Sequence, residues 1–202
     1  EFRRVLFRSH GIEEMREAID AGATDIGENR IQEAIGKYDT LEREVVWHLI
    51  GHLQTNKAKQ AVRYFDLIHS VDSVHLARAI NKEAEKIDKV QDILVQVNLA
   101  KEDSKSGIYE EDLRGPLDLV ETLPNLRLRG LMCIAPNYEQ VEQCRPLFRK
   151  MHEIYQRVKE IPYLTANITY LSMGMTHDYR IAVEEGANIV RVGTAIFGPR
   201  QY

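Results

Sequence analysis

Very little in this chain points to disulfides, a membrane or nucleic acid. Its 202 residues include only two cysteines, Cys133 and Cys144, too few for a disulfide framework and in keeping with a reducing cytoplasm. The longest stretch free of Asp, Glu, Lys and Arg runs from Ile161 to His177. It is interrupted by Pro162, Asn167 and Ser172 and falls short of the ~20 apolar residues a membrane helix needs. No basic surplus exists either: Lys plus Arg number 27 against 31 Asp plus Glu, a net charge of −4. General electrostatic attraction to nucleic acid or an anionic membrane is therefore excluded. A G-x-S-x-G elbow, a Walker loop and a dinucleotide fingerprint are all missing. No linker rich in Pro, Gly or Ser divides the chain, and the opening EFRRVLFRSH has neither a Met nor the apolar core of a signal peptide.

What is present is a regular alternation of helical and strand patterns. GIEEMREAIDAG places Ile12, Met15 and Ile19 at helical spacing, with Glu13 and Glu14 in the first turn and a glycine stop. The strand-like TDIGE follows, then a helix from Asn29 to about Tyr38 and the β-rich run VVWHLIG. QTNKAKQAVRYF reads as helix, LIHSV as a short strand, and Ser73 as the cap of HLARAINKEAEKI. DILVQVNL is almost continuously apolar, as a parallel strand buried on both faces should be. A helix around 109–122, the strand RLRGLMCI and a long helix around 139–159 continue the cycle; Pro146 either kinks that helix or marks its true start. TYLSMG, HDYRIAVEEG and NIVRVGTAIFG complete it.

Seven strands separated by helices predict a parallel sheet, because each parallel crossover needs a long connection. REAIDAGATDIG and RIAVEEGANIVRVG echo one another, which suits a barrel or a doubly wound sheet. A closed barrel wants eight strands, and the eighth would fall at RRVLFRS, ahead of the first helix. The expectation is one α/β domain, a (β/α)8 TIM barrel.

Four segments carry candidate chemistry. In LSMGMTHDYR, Gly174 lies between Ser172 and Thr176 just before a helix; two hydroxyls and a permissive glycine suit a phosphate cradle, or equally an ordinary capped turn. In VRVGTAIFG, Arg191 sits inside an apolar strand, shares a face with Gly193 and is followed by Thr194. The last two strand ends of a barrel commonly form a joint phosphate site; otherwise Arg191 pairs with a core carboxylate such as Glu28. In GENR, Glu28 and Asn29 end a strand, where polar residues tend to face an active site, although Asn29 could simply cap the next helix. In WHLIGHLQTNK, His48 and His52 lie on a strand pattern, ~13 Å apart if extended, too far for one metal ion. His48 reads as a satisfied barrel histidine, His52 as a loop residue near the mouth, and the two cysteines as structural.

Together GENRIQEA, WHLIGHLQTNKAK, SVDSVHLARAI, VNLAKEDSKSGI, RGLMCIAP and LSMGMTHDYRIAVEEGANIVRVGTAIFG resemble the pyridoxal phosphate homeostasis family, single-domain relatives of the alanine racemase barrel. The resemblance runs from about Gly11 onward. It implies a barrel of the alanine racemase N-terminal type holding pyridoxal 5′-phosphate (PLP) at its mouth. Ser172, Thr176, Gly193 and Thr194 would hold the phosphate around Gly174, Arg191 would face the pyridine nitrogen, and Asn29 would lie beside the ring. It further implies a cytoplasmic, monomeric, non-catalytic carrier, with PLP-dependent apo-enzymes as the recipients.

One departure stands out. The family's first strand ends in a motif like V-S-K-T, whose lysine forms the Schiff base with PLP, and here Arg8 falls at its position. A guanidinium cannot make that bond. Residues 1–10 accordingly read as an atypical leading segment, with a truncated or altered first strand, joined to one PLP-binding domain over 11–202. Lys105 is the nearest substitute lysine by position, and Lys57 and Lys59 are weaker. The rival expectations are a PLP-dependent racemase or decarboxylase of the same fold, and a barrel for another phosphorylated metabolite.

Overall fold

The computed structural model describes residues 3–7 (as backbone), 11–102, 105–162, 168–193 and 196. It is a closed barrel of eight parallel strands in chain order. The strands are β1 (Arg3–Phe7), β2 (Asp25–Glu28), β3 (Val46–Leu49), β4 (Leu67–Val71), β5 (Gln91–Val97), β6 (Leu126–Cys133), β7 (Tyr170–Met175) and β8 (Ile189–Val192). Seven helices fill the crossovers: α1 (Ile12–Asp20), α2 (Ile31–Tyr38), α3 (Ala58–Tyr64), α4 (Val74–Glu85), α5 (Arg114–Glu121), α6 (Arg145–Lys159) and α7 (Tyr179–Glu184). The strand expected to be truncated or altered is there as backbone. Val5 pairs with Asp25 of β2 and also with Arg191 of β8, so residues 3–7 belong to the barrel and close it.

Strand alternation sorts side chains between two cores. Residues facing outward, such as Trp47, Leu49, Ile93, Val95, Leu171, Met173, Val190 and Val192, join the large cluster under the helices. Residues facing inward form a smaller apolar plug of Ile50, Leu67, Leu94, Met132 and Ile189. Each large apolar side chain removed from water in this way contributes about 1.5–3 kcal/mol before entropy is counted. The remaining inward positions include the buried polar residues Asp25, His48, His69, Gln96, Ser172 and Arg191.

Local signals behave as their chemistry requires. The Ser73 hydroxyl accepts the Leu76 N–H at 3.1 Å and starts α4. Pro146 lies in the first turn of α6, so it begins that helix rather than kinking it. Residues 141–144 ahead of it form a short 3₁₀ turn, which leaves Val141 exposed while Phe148, Met151, Tyr155 and Val158 are buried along α6. The cap position of α2 is Arg30, and Asn29 is left free of that duty.

Candidate functional site at the barrel mouth

The ends of β7 and β8 meet. Met175 is in register with Arg191, and the Gly193 N–H points at the Thr176 hydroxyl oxygen at 3.3 Å. Gly174 makes this possible: its φ is +92°, and a Cβ there would lie 2.5 Å from the Ala182 Cβ. Only glycine lets the strand turn into α7 so closely. Arg8 and Thr194 lie outside the described residues.

Arg191 is fully buried, with 2% of its surface exposed. Its guanidinium donates to the Ser172 Oγ at 2.6 Å and to the Cys133 carbonyl oxygen at 2.9 Å. Among the described residues it makes no ion pair with a carboxylate. Glu28 is not its partner: strand parity turns Glu28 outward against α2, where the Lys37 Nζ sits 2.6 Å from its Oε1. Burial raises the Glu28 carboxyl to about 7 despite that ammonium, and Glu33 adds to the rise. The expectation that Glu28 faces the mouth is thereby corrected.

Ser172 lies deeper than a mouth residue, with no exposed surface. Its hydroxyl is engaged on both sides, by Arg191 and by the His69 Nδ1 at 3.0 Å. From His69 the contacts continue across the barrel. The His69 Nε2 lies 2.8 Å from the His48 Nδ1, and the His48 Nε2 lies 2.9 Å from the Asp25 Oδ1. Burial first, then His48 and Arg191, holds the His69 pKa well below the usual imidazole value, so that ring is neutral. His48 is the satisfied barrel histidine its strand position implied. His52 is instead at the rim, near Ser106 and Asp72. Local patterns do not single out His69 or Asp25, although a histidine two positions after Leu67 in an apolar strand is a visible anomaly.

On the opposite side of the mouth a cavity of about 220 Å³ is lined by Asn29, His52, Gln96, Asn98 and Lys105 among others. Gly51 lets two strand ends approach there, since a Cβ on it would lie 2.1 Å from the Asn29 carbonyl oxygen. The Gln96 and Asn98 side-chain amides donate to the carbonyls of Ser106, Glu102 and Lys105 at 2.9–3.0 Å, folding the following loop over the end of β5. That loop brings the Lys105 ammonium to the rim, where it pairs with Glu102 at 3.0 Å. Lys57 and Lys59 are not in the cavity lining. Burial pushes the Cys133 and Cys144 thiols up, to about 12 and about 11, which leaves both without nucleophilic thiolate at neutral pH.

Residues 7–201 match the family described as alanine racemase, N-terminal domain, and the closed barrel agrees with that class. An alanine racemase from Clostridium difficile shares the fold alone, with TM-score 0.79 at 13% identity over 100% of this chain and 56% of its own. Much nearer is PipY of Synechococcus elongatus, whose structure was solved with PLP bound: TM-score 0.89 and 37% identity, covering 98% of this chain and 92% of that one. The pyridoxal phosphate homeostasis protein of Aquifex aeolicus is 44% identical over 191 residues, 94% of this chain and 83% of the relative. The Escherichia coli protein of that name is 38% identical over 192 residues, 92% and 80% of the two chains. The chain belongs to the pyridoxal phosphate homeostasis protein family.

Proposed function

We propose that this protein binds PLP at the mouth of its barrel and serves intracellular PLP supply as a carrier rather than as a catalyst. The observation that carries the reading is the convergence of a buried guanidinium, Arg191, with the Thr176 hydroxyl and the Gly193 N–H at two adjoining strand ends. That donor set fits a phosphate ester with a pyridine ring: hydroxyl and amide donors for the phosphoryl oxygens, and a fixed cation for the ring nitrogen. Thr194 and Gly174 complete the cradle in this reading, and Asn29 flanks the ring from β2. Ser172, occupied by Arg191 and His69, supports the guanidinium instead of the phosphate.

PLP supplies an aldehyde that bonds reversibly to amines and a ring that withdraws electrons once its nitrogen is protonated. Arg191 cannot give up a proton, so it leaves that nitrogen bare and weakens the electron sink. Racemisation and decarboxylation are thereby disfavoured, whereas binding and release are untouched. With Arg8 at the lysine position the hold is noncovalent. In this reading the protein works as a monomer in the cytoplasm, with PLP-dependent apo-enzymes as recipients; the buried free thiols and the relatives' names support an intracellular role in PLP supply.

The test is to saturate the protein with PLP, reduce with borohydride and weigh it intact. The expected result is no stoichiometric adduct on the wild type and one on Arg8→Lys. A full adduct on wild-type Lys105 overturns the noncovalent hold. A thermal shift with sugar phosphates that equals the shift with PLP transfers the cradle to another phosphorylated metabolite.

A further inference from the structure

Six groups from six strands form one unbroken chain of hydrogen bonds through the barrel interior. From β6 to β2 it runs Cys133 carbonyl, Arg191, Ser172, His69, His48, Asp25. Every heavy-atom separation is between 2.6 and 3.0 Å, and all the side chains are buried. Its two ends set the favoured direction. Arg191 has only donors, so the Ser172 oxygen must accept, and its one proton is then free to go to the His69 Nδ1. The Thr24 hydroxyl donates to the Asp25 Oδ2 at 2.6 Å, which favours the carboxylate; in that form Asp25 only accepts, and the His48 Nε2 carries a proton. The remaining contact, His69 Nε2 to His48 Nδ1, is then satisfied by one proton on His69. Both rings come out neutral, and both carry hydrogen on Nε2. Reversing any link either sets two acceptors face to face or strands the serine proton, which in a buried site costs about 1–3 kcal/mol.

We propose that Asp25, His48, His69 and Ser172 are positioning residues for Arg191. Their one-way chain of hydrogen bonds fixes both imidazoles as neutral Nε2–H tautomers and holds the guanidinium in the orientation it presents to the ligand's ring. The positioning part rests on the proposed PLP reading; the tautomers do not. The fork of Arg191 has one arm on the Cys133 carbonyl and the other on Ser172. Its plane is therefore set by two strands at once, and His69, by taking the serine proton, keeps that proton turned away from the guanidinium. A mobile cation in the same place would lose this registry each time a ligand entered or left.

Two measurements test it. Long-range proton–nitrogen spectra of the wild-type protein labelled in its histidine rings, recorded without added ligand at neutral pH, should show His48 and His69 with Nε2 protonated and Nδ1 bare. His48→Gln and His69→Gln serve to assign the signals. A protonated Nδ1 on His69, or an imidazolium on either ring, overturns the chain. Separately, PLP affinity should fall about tenfold in Ser172→Ala, the loss of one charge-assisted hydrogen bond. It should return within about threefold of wild type in Ser172→Thr, and the absorption band of bound PLP should shift only in the alanine variant. Equal affinity and an unshifted band in Ser172→Ala overturn the positioning role. Wild-type protein that has both Nε2–H tautomers but takes up no PLP refutes the functional reading and leaves the proton order established.

Discussion

Replacing Glu28 with glutamine should make the protein's stability less dependent on pH, and at neutral pH and above it should raise stability. In the folded state the Glu28 carboxyl titrates at about 7, against 4.5 for the ordinary group, because burial opposes its charge more than Lys37 favours it. The folded form therefore binds this proton more tightly than the unfolded form. Stability from this residue is greatest below pH 4.5, declines as pH rises through the interval up to about 7, and is level above it. At ~1.36 kcal/mol per unit, the full penalty is roughly 3 kcal/mol, an upper bound because solvation relaxes around a buried charge. Glutamine removes the ionisation but keeps an oxygen for the Lys37 ammonium, which is itself 15% exposed and can turn to water. The assay is urea unfolding of both proteins from pH 5 to pH 8, taking the difference at each pH so that all other titrations cancel. The variant should gain on the wild type steadily across that range, by about 1–3 kcal/mol in total. A difference that stays flat, or one that moves toward the wild type as pH rises, refutes the account of this buried carboxyl.

Gly51→Ala should lower stability by about 1–3 kcal/mol, read from denaturant midpoints, because the new methyl would collide with the Asn29 backbone. The same change should weaken PLP binding, since Asn29 moves with it. Cys133 and Cys144 should resist a thiol reagent at pH 8 in the native protein and react at once in urea; their thiols lie about 4 and about 3 units above that pH. Ser73→Ala should cost about 1 kcal/mol of unfolding free energy, measured by the same denaturant titration, through loss of the α4 cap.

Signals confined to a few neighbouring residues were legible. The apolar run of β5, the cap at Ser73 and the glycine stop after α1 each act over one turn or one strand, and each lies where the pattern put it. The barrel followed from counting alternations, and the meeting of Thr176 with Gly193 followed from the barrel. Contacts set by depth and parity were harder. Glu28 and Asn29 are adjacent, yet strand alternation sends the first to α2 and leaves the second on the mouth cavity. Ser172 stands in LSMGMT as a candidate cradle hydroxyl, yet its burial and its contacts with Arg191 and His69 are set by tertiary packing that no local pattern reveals. The pairing of His69 with His48 and with a serine 103 positions away is a tertiary event, without any local trace beyond a histidine in an apolar strand. The loop clamp by Gln96 and Asn98 was invisible for the same reason: amide side chains at a strand end have many possible partners, and the fold chooses them.

The most direct measurement is a crystal structure of the protein soaked with PLP. The phosphoryl oxygens should lie within hydrogen-bond distance of the Thr176 hydroxyl and the Gly193 N–H, with the Arg191 guanidinium against the ring nitrogen. Density for the phosphate on the far side of the mouth instead, against His52 and Lys105, would contradict the account.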